Sequence, residues 1–213
     1  MRRLMTISAL AVLVANAPRA VAQNAANSVA PPSPLSAKAM VLHDDMRRLW
    51  ADHVVWTRLY IISAVGGDPS ASVALSRLMK NQEDIANAIR PFYGDAAAAQ
   101  LTTLLKQHIS IAGELVAASA AGNTAKATDA DKRWHDNAVA IATFLSGANP
   151  NWPQATLVDM LNKHLTLTAR EATDRIKKNW TEDQMTFDQI FSQAMDMADA
   201  LSAGIIAQFP TKV

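Results

Sequence analysis

Cysteine is absent from the 213 residues. That excludes disulfide staples, thiolate metal sites, cysteine nucleophiles and iron–sulfur ligation. Glycine is scarce at seven residues and proline stands at nine, which excludes collagen-like and low-complexity chains. Charge of one sign is also lacking. The formal net charge is only +1, so no global basic field recruits nucleic acid. What is present is apolar: half of the residues are hydrophobic and 18% are charged. That balance excludes a mostly disordered chain, and the length suits one domain, or at most two, with a buried core.

The first residues read as an address. Arg2 and Arg3 precede an apolar stretch from Leu4 to Ala15, and Ala20-Val21-Ala22 offers the small-x-small pattern of a signal peptidase site. Residues 1–22 are therefore expected to be a secretory signal peptide, too short in its apolar part to span a bilayer. Its removal takes Arg2, Arg3 and Arg19 and no acid, so 17 bases then face 19 acids for a net of −2. Residues 23–36 read as a linker, with Pro31-Pro32-Ser33-Pro34 favouring extended backbone. Arg58 interrupts the longest later apolar run, Val54 to Val65, so no further span is expected. The expectation is an exported protein, periplasmic or extracellular.

From Ala37 to Pro210 the pattern is helical, with apolar positions every three or four residues and hardly any strand signal. Gly66-Gly67, Arg90-Pro91, Gly122-Asn123, Gly147 to Pro153 and Phe209-Pro210 read as stops. Asp68-Pro69, Asp95, Thr124 or Thr128, and a Thr181/Gln184 capping box read as starts. The fold class expected over residues 37–210 is all-α, an antiparallel bundle of about six helices.

The chain also resembles itself. Arg77-Leu78-x-x-Asn81-x-x-x-Ile85 matches Arg133-Trp134-x-x-Asn137-x-x-x-Ile141, and Leu104 to His108 matches Met160 to His164, each 56 residues apart. Leu49 to His53 is a weaker third copy, and Gln193 stands where a further Asn would fall. This reads as three αα-hairpin repeats. The apolar stripes carry the shared polar residues: Leu42, Met46, Leu49, His53, Trp56, Tyr60 in the first helix, and equivalent runs through His108 and His164. Asn81 and Asn137 sit likewise in the intervening helices.

Antiparallel packing then predicts a buried polar layer of His53, Asn81, His108, Asn137 and His164, supported by Gln193. Buried without partners, such groups cost about 1–3 kcal/mol each, so they bond to each other, to water or to a ligand. A register-fixing layer is the plain reading. A site for a metal ion or small polar ligand is the sharper one. Met160 lies four residues before His164, which would favour copper, whereas three imidazoles alone would suit zinc. Glu171 is an unusual carboxylate in a stripe, with Arg58, Arg77 or Arg133 as available partners. The Glu-x-x-His pairs of di-iron bundles, the Gly-x-Ser-x-Gly elbow, phosphate-binding glycine loops and His-Glu-x-x-His are all missing.

The string Leu49-Trp50-x-x-His53-Val54-x-Trp56-Thr57-Arg58, with Asn81-Gln82-x-Asp84-Ile85, Pro91-Phe92-Tyr93-Gly94, His108-Ile109 and Ile205-Ile206-x-Gln208-Phe209-Pro210, resembles a family of exported bacterial helical-bundle proteins. The resemblance covers nearly all the chain beyond the signal peptide. It implies the bundle. Some members carry enzyme labels, glycosyltransferase among them, yet this chain has no strand–helix alternation and no sugar-nucleotide site. In that family the position of Gln193 is often histidine, so this chain departs there, which weakens a metal site. The reading is therefore a non-enzymatic binding bundle whose His/Asn layer takes a metal ion or small polar ligand. The alternatives are a structural or partner-binding bundle, and an envelope enzyme by resemblance alone.

Overall fold

A computed structural model of the chain describes residues 35–213. The expected signal peptide, 1–22, and all but the last two residues of the expected linker lie outside them. The described residues form five helices: α1 (Ala37–Gly66), α2 (Ala71–Ala120), α3 (Thr124–Ala148), α4 (Gln154–Ile176) and α5 (Trp180–Gln208). No strand occurs among them, so the class is all-α.

The count is five where about six are expected because α2 joins two helical segments across a kink. Pro91 does not end a helix. α2 runs through it and breaks only at Gly94, whose φ of 84° and ψ of 176° no other residue adopts readily. The two halves of α2 thus abut across one residue instead of a loop. Lys212 donates to the Pro91 carbonyl there, and Arg90 pairs with Asp95 across the break.

Several starts also move. Ser36, the last residue of the expected linker, caps α1 by accepting from the Ala39 amide. Asp68 accepts from Ser70 N in a turn, and α2 begins at Ala71. Asn123 rather than Thr124 or Thr128 caps α3, accepting from Lys126 N. α5 starts at Trp180 after Asn179, so Thr181 and Gln184 form no capping box. The stops hold better: Gly67 and Gly122 take left-handed φ of 69° and 68°.

Neighbouring helices are antiparallel. Residues 49 and 58 of α1 meet 81 of α2 and 183 of α5, and 114 of α2 meets 133 of α3. The packed pairs α1–α2, α2–α3, α3–α4, α4–α5 and α5–α1 close a ring, with α4 touching α1 and α2 across the middle. One end of this barrel is a continuous apolar core built around Met46, Trp50, Ile89, Ile141, Leu161 and Ile205. At the other end only Ile61, Val116 and Ala172 form a small cluster. The difference places the candidate site. No helix among the described residues is long and apolar enough to cross a membrane.

Candidate functional site

Three histidines mark the boundary between the packed end and the loose end. His53, His108 and His164 are 4%, 5% and 3% exposed. Each lies mid-helix on a buried face, and each binds an amide side chain 29 residues further along the chain. His53 Nδ1 stands 3.2 Å from Gln82 Nε2. His108 Nδ1 lies 2.8 Å from Asn137 Oδ1, and His164 Nδ1 lies 3.0 Å from Gln193 Oε1.

The amides are themselves oriented. Asn81 Nδ2 donates to the Leu49 carbonyl, Asn137 Nδ2 to Leu104 and Gln193 Nε2 to Met160. In each case the acceptor is the carbonyl four residues before the histidine. Because Asn137 and Gln193 spend their NH2 groups on those carbonyls, they present oxygen to the ring. His108 and His164 therefore donate from Nδ1, and their Nε2 atoms carry bare lone pairs. Around His53 the arrangement differs. Asn81 takes the carbonyl, and Gln82 Nε2 contacts the ring, the Leu78 carbonyl and Asn81 Oδ1. Gln82 was not anticipated. It sits next to a stripe residue and carries no separate periodic signal.

All three rings line one cavity of about 270 Å3. The His53 and His164 ring centroids are 5.6 Å apart, and His108 packs against Trp134 at 5.2 Å. Apolar walls come from Ile61, Leu78, Ile109, Leu115 and Val116. Thr128 and Thr173, both exposed, mark the solvent side between α3 and α4. Two wall residues carry polar atoms that are buried and without a hydrogen-bond partner among the described residues, Trp134 Nε1 and Thr168 Oγ1. Their lack of partners is invisible in a linear sequence.

The imidazoles of the layer are neutral, while Asp131 also lines the cavity. Burial, then the neighbouring His164 and His108, hold His53 well below the usual 6.5. Burial and His164 push His108 down to about 3 despite its bond to Asn137. Burial lowers His164, against the bond to Gln193. The layer thus offers lone pairs rather than positive charge.

The remaining expected residues sit elsewhere. Met160 gives its backbone carbonyl to Gln193, but its side chain lines a separate apolar gap of about 40 Å3 in the packed core. Sulfur and imidazole therefore do not converge, which removes the argument for copper. Glu171, 1% exposed, turns away to Arg58, which bonds it at 2.5 Å and grips Asp183 at 2.9 and 3.1 Å. Burial raises the Glu171 carboxyl to about 7 in spite of Arg58. Among the described residues no group of three or more His, Cys, Asp or Glu side chains could hold a metal ion. Trp56, expected in the core, is only half-buried beneath the Arg77 guanidinium. The fully enclosed tryptophans are Trp50, Trp134 and Trp152. His43 and His135 are partly exposed and pair with Asp199 and Asp131.

Comparison with known proteins finds no matching family model, no matching curated protein and no matching solved structure.

Proposed function

We propose that this chain is an exported, non-enzymatic binding protein that holds a small polar ligand in the cavity beneath its histidine layer. The bundle is read as three αα-hairpins joined in a ring, each supplying one imidazole and the amide that orients it. What supports the hairpin reading is the recurrence of one contact, at one spacing, in all three places. The leader-like residues 1–22 support export.

The observation that carries the binding reading is the asymmetry of the three rings. Each Nδ1 is committed to an amide, while the opposite ring edge belongs to a cavity large enough for a small molecule. A layer that served register alone would be closed on both edges, because an unpaired buried polar atom is destabilising. A small organic ligand is favoured over copper or zinc because no group of three or more His, Cys, Asp or Glu side chains able to hold a metal forms among the described residues. The cavity is lined by hydroxyls as well as imidazoles, but among the described residues the imidazoles bond amide side chains and none of the hydroxyls, so binding is favoured over turnover.

The test uses the full chain and an Ala169→Phe variant, whose ring would fill the cavity from α4. Native mass spectrometry of retained small molecules and elemental analysis for copper and zinc are run on both. An organic molecule retained by the parent and lost in A169F is the expected result. Retained copper or zinc would replace the ligand class. A parent that retains nothing, with A169F more stable and otherwise identical, would reduce the layer to a structural device.

A further inference from the structure

Resting on the binding reading above, we infer that the ligand is a small organic monocation, an ammonium group on an apolar body about the size of one ring, with the ammonium held by Asp131 at the cavity mouth. Among the described residues Asp131 is the one carboxylate in the cavity wall, and no lysine or arginine lines it. Two other carboxylates of α3 are tied to bases four residues away. Asp129 pairs with Arg133 at 2.8 Å, and Asp136 with Lys132 at 2.6 Å. At the same spacing Asp131 meets His135 instead. There His135 Nδ1 donates to the Asp131 backbone carbonyl at 3.0 Å and stands 3.8 Å from the carboxylate. The half-exposed carboxylate therefore has no lysine or arginine partner among the described residues and is open to a cation from outside.

The rest of the wall agrees on the sign of the charge. His108 and His164 carry bare Nε2 lone pairs, since Nδ1 donates to Asn137 and Gln193. Burial keeps all three rings neutral near pH 7. An anion would thus meet a carboxylate and lone pairs with no cation to offset them. Trp134 lines the cavity three residues beyond Asp131 on the same face of α3, and an indole beside a carboxylate favours a cation twice over. A metal ion is a poorer fit, because no group of three or more His, Cys, Asp or Glu side chains gathers to hold one among the described residues. The body of the ligand is set by depth. Asn137, which holds His108, lies six residues beyond Asp131, about 9 Å further along α3. An ammonium at Asp131 leaves that depth to an apolar group between Ile61, Leu115 and Ala169. An apolar cavity of about 150 Å3 accepts benzene, so about 270 Å3 takes one ring with a short chain.

Three probes of similar shape test this in calorimetric titrations of the full chain near neutral pH: 2-phenylethylammonium, 2-phenylethanol and phenylacetate. The cation is expected to bind at least about tenfold more tightly than the alcohol, on the scale of one charge-assisted hydrogen bond, and phenylacetate not at all. Asp131→Asn changes a half-exposed side chain that makes no hydrogen bond among the described residues, so the variant should fold as the parent does. It should bring the cation down to the level of the alcohol and leave the alcohol unchanged. An alcohol that binds as tightly as the cation, or a cation indifferent to D131N, would overturn recognition by charge. Phenylacetate binding best would reverse its sign. If A169F blocks the probe that does bind in any of those cases, the cavity still binds and only the ligand class falls. Cation binding that A169F leaves intact would place the site outside the cavity and overturn the proposal. Failure of all three probes overturns the ligand class, and the binding reading falls with it where A169F retains whatever the parent retains.

Discussion

An imidazole that must accept from a ligand has to be held in one tautomer, and here the neighbouring helix does the holding. Asn137 fixes His108 because its own NH2 is tied to the Leu104 carbonyl. Flipping the amide would place NH2 against N–H and oxygen against oxygen. Asn137→Leu should therefore cost about 1–3 kcal/mol in urea unfolding, since it strands the buried His108 Nδ1–H and removes the second bond to the Leu104 carbonyl. Replacing the ring as well, in a His108→Phe/Asn137→Leu double variant, should cost less than the two single changes summed. The expected coupling lies within about 0.5–3 kcal/mol. Additive costs would show that the amide does not orient the ring. The pair is a small-scale case of a general pattern in this bundle: a buried polar side chain tolerated because a second one, a fixed distance along the chain, completes its bonding.

At the scale of the helix, close packing rather than hydrogen bonding decides. Gly204 on α5 lies under the Trp152 indole, and a Cβ at that position would stand 1.9 Å from Trp152 Nε1. That nitrogen donates to the Ala200 carbonyl one turn earlier. Gly204→Ala should force the indole out and lose about 1–3 kcal/mol of stability, read as a lower melting temperature with a shifted tryptophan emission. An unchanged emission and melting point would mean that the indole has room to retreat. This contact illustrates what a sequence conveys and what it does not. The helical class and the depth of His53, His108 and His164 were legible, because stripes spaced three and four apart persist along long helices. The α2 break was legible only to within a few residues: Pro91 is the stronger local signal, yet the chain turns at Gly94. Trp56 was misplaced because a seven-residue stripe drifts against a 3.6-residue helix, and Trp50, Val54 and Ile61 take the inner face instead. Of the cavity, the imidazoles could be read in advance. The partnerless atoms of Trp134 and Thr168, and the grip of Arg58 on both Glu171 and Asp183, depend on helices far apart in sequence.

For the molecule as a whole, these buried groups turn pH into a stability variable with two opposing parts. The three imidazoles are held below 6.5, His108 at about 3. As pH falls below 6.5 the unfolded chain takes up protons that the folded chain refuses. The imidazole contribution is thus intact above about 6.5 and is lost toward acid, at about 1.4 kcal/mol for each pKa unit of separation. Glu171 works in reverse. Burial lifts it from 4.5 to about 7, with Arg58 and Arg175 opposing and Asp183 reinforcing the rise. The folded chain keeps that proton longer, so its contribution is intact below 4.5 and is lost as pH rises through 7. Between 4.5 and 6.5 three groups oppose one, and acid should win. The melting temperature should therefore peak near pH 6 to 7, fall on acidification to pH 4, and decline slightly toward pH 8. Glu171→Gln cannot titrate. It should abolish the alkaline decline and steepen the acid limb, while Asn137→Leu, which leaves all three rings in place, should keep both limbs. A parent profile that is flat from pH 4 to 7 would contradict buried neutral imidazoles.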